Sequence, residues 1–76
     1  MNKERRAAIS ELAEQIAEIM QEVETLREQE QEYYDNMPEA FQDGDKGELA
    51  QQAIDSLDEA ISSLEQVQGN LDTAQE

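Results

Sequence analysis

The chain contains no cysteine and no histidine among its 76 residues. Without cysteine it forms neither a disulfide framework nor a thiolate nucleophile, and without histidine it lacks the commonest metal ligand and the usual general base. A domain of this size ordinarily depends on disulfides, a structural metal or oligomerisation, because its own core is small. The absence of cysteine excludes disulfides, and the absence of histidine argues against a structural metal. We therefore expect oligomerisation with a partner chain.

The sequence also lacks a long hydrophobic run. No apolar stretch approaches the roughly 20 residues of a membrane span, and the basic segment MNKERRAA is not followed by the apolar region of a signal peptide. We therefore expect a soluble, cytoplasmic protein.

Basic residues are scarce. Twenty Asp and Glu stand against five Lys and Arg, which gives a formal charge of -15. Three of the five cations lie in the first six positions, so the remainder of the chain is almost uniformly acidic. Such a surface repels nucleic acid and anionic lipid, and we expect no direct contact with either.

The first half carries a heptad pattern of apolar residues, which argues against disorder. With Ile9 as position a, the a and d positions hold Ile9, Leu12, Ile16, Ile19, Val23, Leu26, Tyr33 and Met37. Good helix formers dominate, so the pattern predicts one helix over about 3–35. Glu30 is the only polar interruption. We interpret it as a register-fixing residue paired with Arg27, the alternative being a contact for a partner's cation.

A second heptad pattern with smaller residues follows Glu48. Its seam comprises Ala50, Ala53, Leu57, Ala60, Leu64, Val67, Leu71 and Ala74, with Ile54 and Ile61 at a flanking position. Large residues of the first helix can interlock with small ones of the second. We predict a second helix over about 46–74 that continues through Gly69. The whole chain, 1–76, is then a single all-α domain, an antiparallel two-helix hairpin.

The connection, residues 36–45, is predicted from its turn residues. Pro38 cannot continue a helix and disfavours helical backbone at the residue before it, so the first helix should end there. A short helical turn over 38–42 would place Pro38 at its favoured first position. Asp45 and Glu48 have the spacing of a capping box at the start of the second helix.

All three aromatic residues lie at this connection, around the only proline. Tyr33 occupies a d position of the first helix. We predict that Phe41 folds back over the open end of the hairpin as a plug, and that Tyr34, just off the seam, faces a partner.

The apolar stripes are wider than one antiparallel partner requires. Beside the a and d positions, or flanking the second seam, lie Ala13, Met20, Tyr34, Leu49, Ile54 and Ile61. A homodimeric four-helix bundle would cover this surplus. The alternative is a two-helix monomer whose spare apolar edge, including Tyr34, Phe41 and Ile54, contacts a different protein.

Residues for catalysis and metal binding are missing. Carboxylate-bridged metal sites in helical bundles use converging acids and histidines, and Glu30 is the only acid on the seam. A calcium loop starting at Asp43 would place Gly47 and Ile54 where oxygen ligands are needed. The serines have no suitable base, and no glycine-rich phosphate loop occurs. We predict no catalytic residue, no metal, no cofactor and no enzymatic activity.

The acidic rows are the most unusual feature. They comprise Glu11, Glu14, Glu18, Glu22, Glu28, Glu32 and Asp35 on the first helix and Asp55, Asp58, Glu59, Glu65 and Asp72 on the second. Acids three or four residues apart lie about 5–6 Å from each other on a helix, a spacing close to that of DNA phosphates. An ordinary solvated helix face mixes both signs of charge. Because Lys is nearly absent here, two interpretations stay open, an ordinary solvated face and a contact surface that mimics DNA.

The stretches EYYDNMPEAFQ and GELAQQAIDSLDEAISSLEQ resemble small acidic helical proteins of bacteriophage and prophage genomes. In those proteins a long helix ends in a similar Asn-x-Pro-Glu connection, and an Ala/Leu-rich helix follows. The likeness covers about residues 28–68. It implies a phage origin and a bacterial host, and phages encode small acidic proteins that block restriction, repair or CRISPR enzymes by occupying nucleic-acid sites.

Three functional hypotheses follow. The first is an inhibitor that binds a host nucleic-acid-binding or defence protein, with a basic surface, through the acidic rows. The second is a structural or assembly protein that acts through a hydrophobic edge. The third is a sponge for a small ligand, which would need Arg5, Arg6 or Arg27 to converge across a dimer.

Overall fold

The computed structural model describes residues 2–76 and consists of three helices, α1 (Lys3–Asp35), α2 (Glu39–Gln42) and α3 (Asp45–Gln75). The long helices α1 and α3 pack side by side in opposite directions, and within the described residues there is no strand. The resulting rod measures 58 × 14 × 12 Å between Cα atoms. These observations confirm the predicted all-α helical hairpin.

The start of α1 is capped by a side chain. Asn2 has extended backbone, and its Oδ1 accepts a hydrogen bond of 2.8 Å from the backbone N–H of Arg5. This bond satisfies one of the four amide donors that have no partner within the helix. The basic cluster at the N-terminus is therefore held on an ordered helical turn.

Replacing Asn2 with alanine is expected to lower the free energy of unfolding by about 1 kcal/mol, because the first turn loses its acceptor. Chemical denaturation followed by helical circular dichroism measures the change. Ser10→Ala, at an exposed position inside α1, is the matched control and should change stability by less than about 0.5 kcal/mol. Equal losses in the two variants would contradict the capping role.

The connection differs in detail from the prediction. Pro38 has extended backbone and caps α2, so the short helix begins one residue later than expected, at Glu39. Only Asp43 and Gly44 separate α2 from α3, and the carbonyl of Gly44 accepts the first helical hydrogen bond from the N–H of Glu48.

The predicted capping box is wrong. Gly44 is the N-cap of α3, and no side chain caps this end. The two-residue link brings Asp45 into the helix as its first residue, so Glu48 is the fourth helical residue rather than the third. Asp45 and Glu48 are thus both one position beyond the places from which the reciprocal hydrogen bonds form.

Two contacts fasten the connection to the long helices. The side-chain Nε2 of Gln42 donates a hydrogen bond of 2.9 Å to the backbone carbonyl of Tyr34, at the end of α1. Gly47, in the first turn of α3, is buried directly against the backbone of Gln42. A Cβ atom on Gly47 would lie 2.7 Å from the Cα of Gln42 and closer still to its carbonyl oxygen. Only glycine allows this approach.

The inward face of α1 is rotated relative to the predicted seam. The a positions are half-buried as expected, but the second inward row is position e: Ala13, Met20, Arg27 and Tyr34. The d positions, predicted to complete the seam, are 45–54% exposed: Leu12, Ile19, Leu26 and Tyr33. Positions d and e flank a on opposite sides, so the helix turns by roughly one side-chain row. The rotation buries Met20 and brings Arg27 within reach of α3.

The inward face of α3 is shifted in the same sense. Ile54 is 3% exposed and belongs to the core, whereas it was predicted at the flank. Val67 and Ala74, predicted in the seam, are exposed. Gly47, which is buried against Gln42, lies in the same helical row as Ile54 and Ile61, so the inward side of α3 is the same at the connection as along the helix.

The hairpin has a thin core. Among residues 2–76 the buried apolar residues are Met20, Ala50 and Ile54, and no side chain falls below 2% exposure. The radius of gyration is 17.3 Å, against about 11 Å for a compact domain of this length. A two-helix rod has no third layer to close over its faces, so much apolar surface stays in contact with solvent.

Candidate functional site: two opposite faces of the hairpin

An ion pair between the long helices identifies one side of the hairpin. Arg27 Nε donates a hydrogen bond of 2.9 Å to Asp58 Oδ1, and Arg27 Nη2 lies 3.5 Å from Oδ2. This pair crosses from position e of α1 to the row of α3 just beyond Ile54. The partner of Arg27 is therefore Asp58, and the predicted pairing with Glu30 is wrong because the rotation of α1 directs Arg27 toward α3.

The side marked by the ion pair carries nine of the twenty acidic residues, and we call it the acidic face. Helical periodicity places the rows beyond position e of α1 and beyond Ile54 of α3 on this side. The acidic face comprises Glu14, Glu24, Glu28, Asp35, Glu48, Asp55, Asp58, Glu65 and Asp72, all exposed.

The remaining acids of the predicted rows lie at the long edges of the hairpin and are likewise exposed. They are Glu11, Glu18 and Glu32 on the outer edge of α1, Glu59 on the outer edge of α3, and Glu22 beside the opposite face. The acidic surface thus wraps the ion-pair side and both edges. It extends along most of the rod because both helices contribute to it, α1 from Glu11 onward and α3 from Glu48 to Asp72.

Within the described part of the chain, Arg27–Asp58 is the only ion pair. Asp58 raises the pKa of Arg27 above its ordinary value, chiefly by accepting its hydrogen bond. Asp58 is therefore partly neutralised by a structural partner. The other carboxylates of the acidic face contribute to a field of one sign.

The opposite side of the hairpin is apolar, and we call it the apolar face. It consists of position d of α1 and of the small-residue row of α3 that follows Ala53: Leu12, Ile19, Leu26, Tyr33, Ala53, Ala60, Val67 and Ala74. Because Arg27 lies level with Asp58 and the helices are antiparallel, three of the four large residues of α1 lie beside an alanine of α3, and Ile19 lies beside Val67. Leu26 lies beside Ala60, for example.

The rows that border the apolar face are nearly uncharged. On α1 the border consists of Ala8, Gln15, Glu22 and Gln29, and on α3 of Leu49, Ser56, Ser63 and Asn70, all exposed. Glu22 is the single carboxylate among these eight residues. The acidic residues are therefore separated from the apolar face by a neutral margin on each side.

The connection adds an open cavity of about 330 Å³ at one end of the apolar face. Tyr33, Met37, Pro38 and Phe41 line it, together with Asn36 and Lys46. The ammonium of Lys46 lies 5.5 Å from the centroid of the Phe41 ring, within cation–π range. This end of the apolar face offers aromatic surface beside a cation.

The predicted roles of the aromatic residues need correction. Phe41 is 51% exposed and lines the cavity, so it does not plug the hairpin's end. Tyr33 faces outward and Tyr34 inward, the reverse of the prediction, because α1 is rotated toward position e. Ile54, predicted as an apolar contact for a partner, is inaccessible in the folded hairpin.

The residues that the structure describes contain no group of three or more acidic side chains arranged to hold a metal ion. Nor does α1 or α3 contain a stretch apolar enough to cross a bilayer.

No protein-family model matches the chain, and neither a curated protein nor a solved structure matches it.

Proposed function

We propose that this chain is a non-enzymatic binding protein whose acidic face occupies a basic, nucleic-acid-binding surface of another protein. The proposed setting is the bacterial cytoplasm. The proposed targets are host defence or repair proteins of the restriction, CRISPR or DNA-repair type. In this reading the hairpin inhibits its target by presenting carboxylates where the target would otherwise bind phosphates.

The observation that supports this proposal is the large excess of negative over positive charge on the exposed surface. A rod 58 Å long carries exposed carboxylates on one face and both edges, with one ion pair among residues 2–76. Like charges at helical neighbour positions reduce stability, so a surface built this way costs the fold something. A basic cleft that binds the acidic face recovers this cost through favourable charge pairing.

The shape of the acidic face supports the same class of partner. Acids in one helical row, such as Glu28 and Asp35, recur every seven residues, which is about 10 Å along the axis. Acids on the adjacent row shorten two of these gaps, because Glu24 and Glu28, and likewise Asp55 and Asp58, are three or four residues apart and have Cβ atoms about 5–6 Å from each other. A cleft that contacts successive phosphates of a nucleic-acid backbone needs charges at a comparable pitch.

Neutralising four carboxylates is expected to weaken the proposed complex by about 30-fold near 0.1 M salt, from about 0.5 kcal/mol for each exposed charge. The variant combines Glu28→Gln, Asp35→Asn, Asp55→Asn and Glu65→Gln, which lie on the acidic face of both helices. The target is recovered on the immobilised hairpin from a bacterial lysate, and its affinity for wild type and variant is measured by calorimetry.

The control variant carries the same number of conservative changes at exposed neutral positions of the border rows: Gln15→Asn, Gln29→Asn, Ser56→Thr and Ser63→Thr. It should bind as tightly as wild type. The recovered protein should also lose duplex DNA when the hairpin is added, and the complex should weaken steeply with ionic strength. A complex that persists unchanged in 0.5 M salt, or that leaves DNA binding unaffected, would contradict the proposal.

The apolar face supports a second candidate function, that of a structural or assembly protein. Its large side chains, including Leu12, Ile19 and Leu26, are about half exposed in a row along the rod. Contiguous apolar surface of this kind marks an interaction site. In this alternative the partner binds the apolar face, and the interaction withstands high salt.

A further inference from the structure

We propose that a second copy of this chain covers the apolar face, with the two hairpins parallel and their connections at the same end of the dimer. This inference is independent of what the acidic face binds. Three features of the apolar face support it: its area, the position of the charges around it, and the alternation of large and small residues across it.

The area of the apolar face suits a dimer. From Leu12 to Tyr33 it runs 21 residues, about 32 Å at 1.5 Å per residue. Two helices side by side are about 20 Å wide, so the apolar face together with its neutral margins has a projected area of about 600 Å². The accessible area is larger than the projected area, because side chains protrude from the helices and the cavity at the connection adds further surface. It therefore approaches the roughly 800 Å² per partner of a standard stable interface.

The charge distribution favours a second copy in spite of the net charge of -15. When two apolar faces meet, both acidic faces point away from the contact, on opposite sides of a four-helix bundle. The residues nearest the contact are the neutral margins, in which Glu22 is the only acid. A basic protein bound to the apolar face would instead have few carboxylates nearby with which to form ion pairs.

Large and small side chains fix the orientation of the two copies. In each hairpin α1 contributes the large residues, such as Ile19 and Leu26, and α3 the small ones, such as Ala60. A two-fold axis along the rod places α1 of each copy over α3 of the other. This rotation leaves the position of every residue along the rod unchanged. Leu26 then lies over Ala60 of the second copy, which fills space evenly. The alternative, an axis across the rod, sets α1 over α1 and leaves gaps between the alanine rows.

The first test introduces a charge into the apolar face. Wild type should sediment as a dimer at micromolar concentration. Leu26→Glu should raise the dissociation constant by at least about 100-fold, because the contact would bury two unpaired carboxylates. Gln21→Glu, which adds the same charge at an exposed position of α1 away from the apolar face, should change the dissociation constant less than about threefold. Val67→Glu, on α3, should act like Leu26→Glu. A wild-type monomer at about 100 µM, or a Leu26→Glu dimer as tight as wild type, would overturn the proposal.

The second test measures orientation and leaves the apolar face intact. Because the chain has no cysteine, Glu39→Cys, at an exposed position of α2, supplies one spin-label site per copy. Parallel hairpins bring the two labels within about 30 Å, the width of a four-helix bundle with its labels. Hairpins in opposite directions separate them by nearly the 58 Å length of the rod, and this result would overturn the proposed arrangement.

A mixed sample provides the control for the orientation. Copies labelled at Glu39→Cys are combined with copies labelled at Thr73→Cys, an exposed position near the far end of α3. In the parallel dimer the distance between unlike labels is long and that between like labels is short. The reverse pattern would contradict the two-fold axis along the rod.

Discussion

Replacing Ile54 with alanine is expected to lower the free energy of unfolding of the hairpin by about 2–4 kcal/mol. Ile54 is 3% exposed and is the largest aliphatic side chain among the few buried residues, so its truncation leaves a cavity in the middle of the core. The hairpin has little other buried apolar surface to compensate. A loss of this size is a large share of the stability of a small domain.

Urea denaturation followed by circular dichroism measures the loss, with the concentration of protein held constant across variants. Leu49→Ala is the matched control, because Leu49 lies five residues earlier on α3 but is 65% exposed. It should change the free energy of unfolding by less than about 0.5 kcal/mol. Similar losses for Ile54→Ala and Leu49→Ala would show that Ile54 is not in the core.

Gly47→Ala is expected to destabilise the hairpin by about 1–3 kcal/mol, although alanine favours helices more than glycine does. The added Cβ would meet the backbone of Gln42, with the Cα of that residue 2.7 Å away. Backbone atoms cannot turn aside as a flexible side chain can, so α2 and α3 must separate. The separation should also weaken the hydrogen bond from Gln42 to the carbonyl of Tyr34.

Gly69→Ala makes the same chemical change at the other glycine inside α3. Nothing lies within 4 Å of the Cβ it would add, so this variant should gain about 1 kcal/mol from helix propensity alone. The two variants should therefore move the urea midpoint in opposite directions. A gain in both would contradict the close packing of Gly47 on Gln42.

The helices and their limits were predictable because the signals are local. Heptad spacing and helix-forming residues predicted α1 and α3, and Pro38 predicted the break between them. The start of α3 was less predictable. Asp45 and Glu48 fit a capping box by spacing, but the two-residue link from α2 makes Gly44 the cap, and this depends on the packing of Gly47.

The rotation of α1 could not be predicted from periodicity alone. Positions d and e both flank position a, and apolar or long side chains occupy both rows in this chain. Apolar spacing favoured d, whereas the contacts of the hairpin select e, with Met20 buried and Arg27 paired to Asp58. The signal that was available is the e row itself, in which Ala13, Met20 and Tyr34 offer apolar or aromatic surface at a seven-residue spacing.

The exposure of the acidic residues was predictable, but their separation from the apolar face was not. Each predicted acid is exposed, as expected for charged side chains on helices. The acids that share a face are determined by the rotation of both helices and by their axial alignment, which places Arg27 beside Asp58. Tyr33 and Tyr34 exchange roles for the same reason, because the helix turns by one row.

The thickness of the rod makes its two faces electrically distinct at physiological salt. The hairpin measures 12 Å in its thinnest direction between Cα atoms, whereas the Debye length is about 8 Å at 0.15 M ionic strength. A molecule that approaches one face is largely screened from the carboxylates on the other. At 0.01 M the screening length grows to about 30 Å, and the whole particle then behaves as one anion. Dilute buffer therefore opposes the meeting of two apolar faces, while ordinary cellular ionic strength permits it.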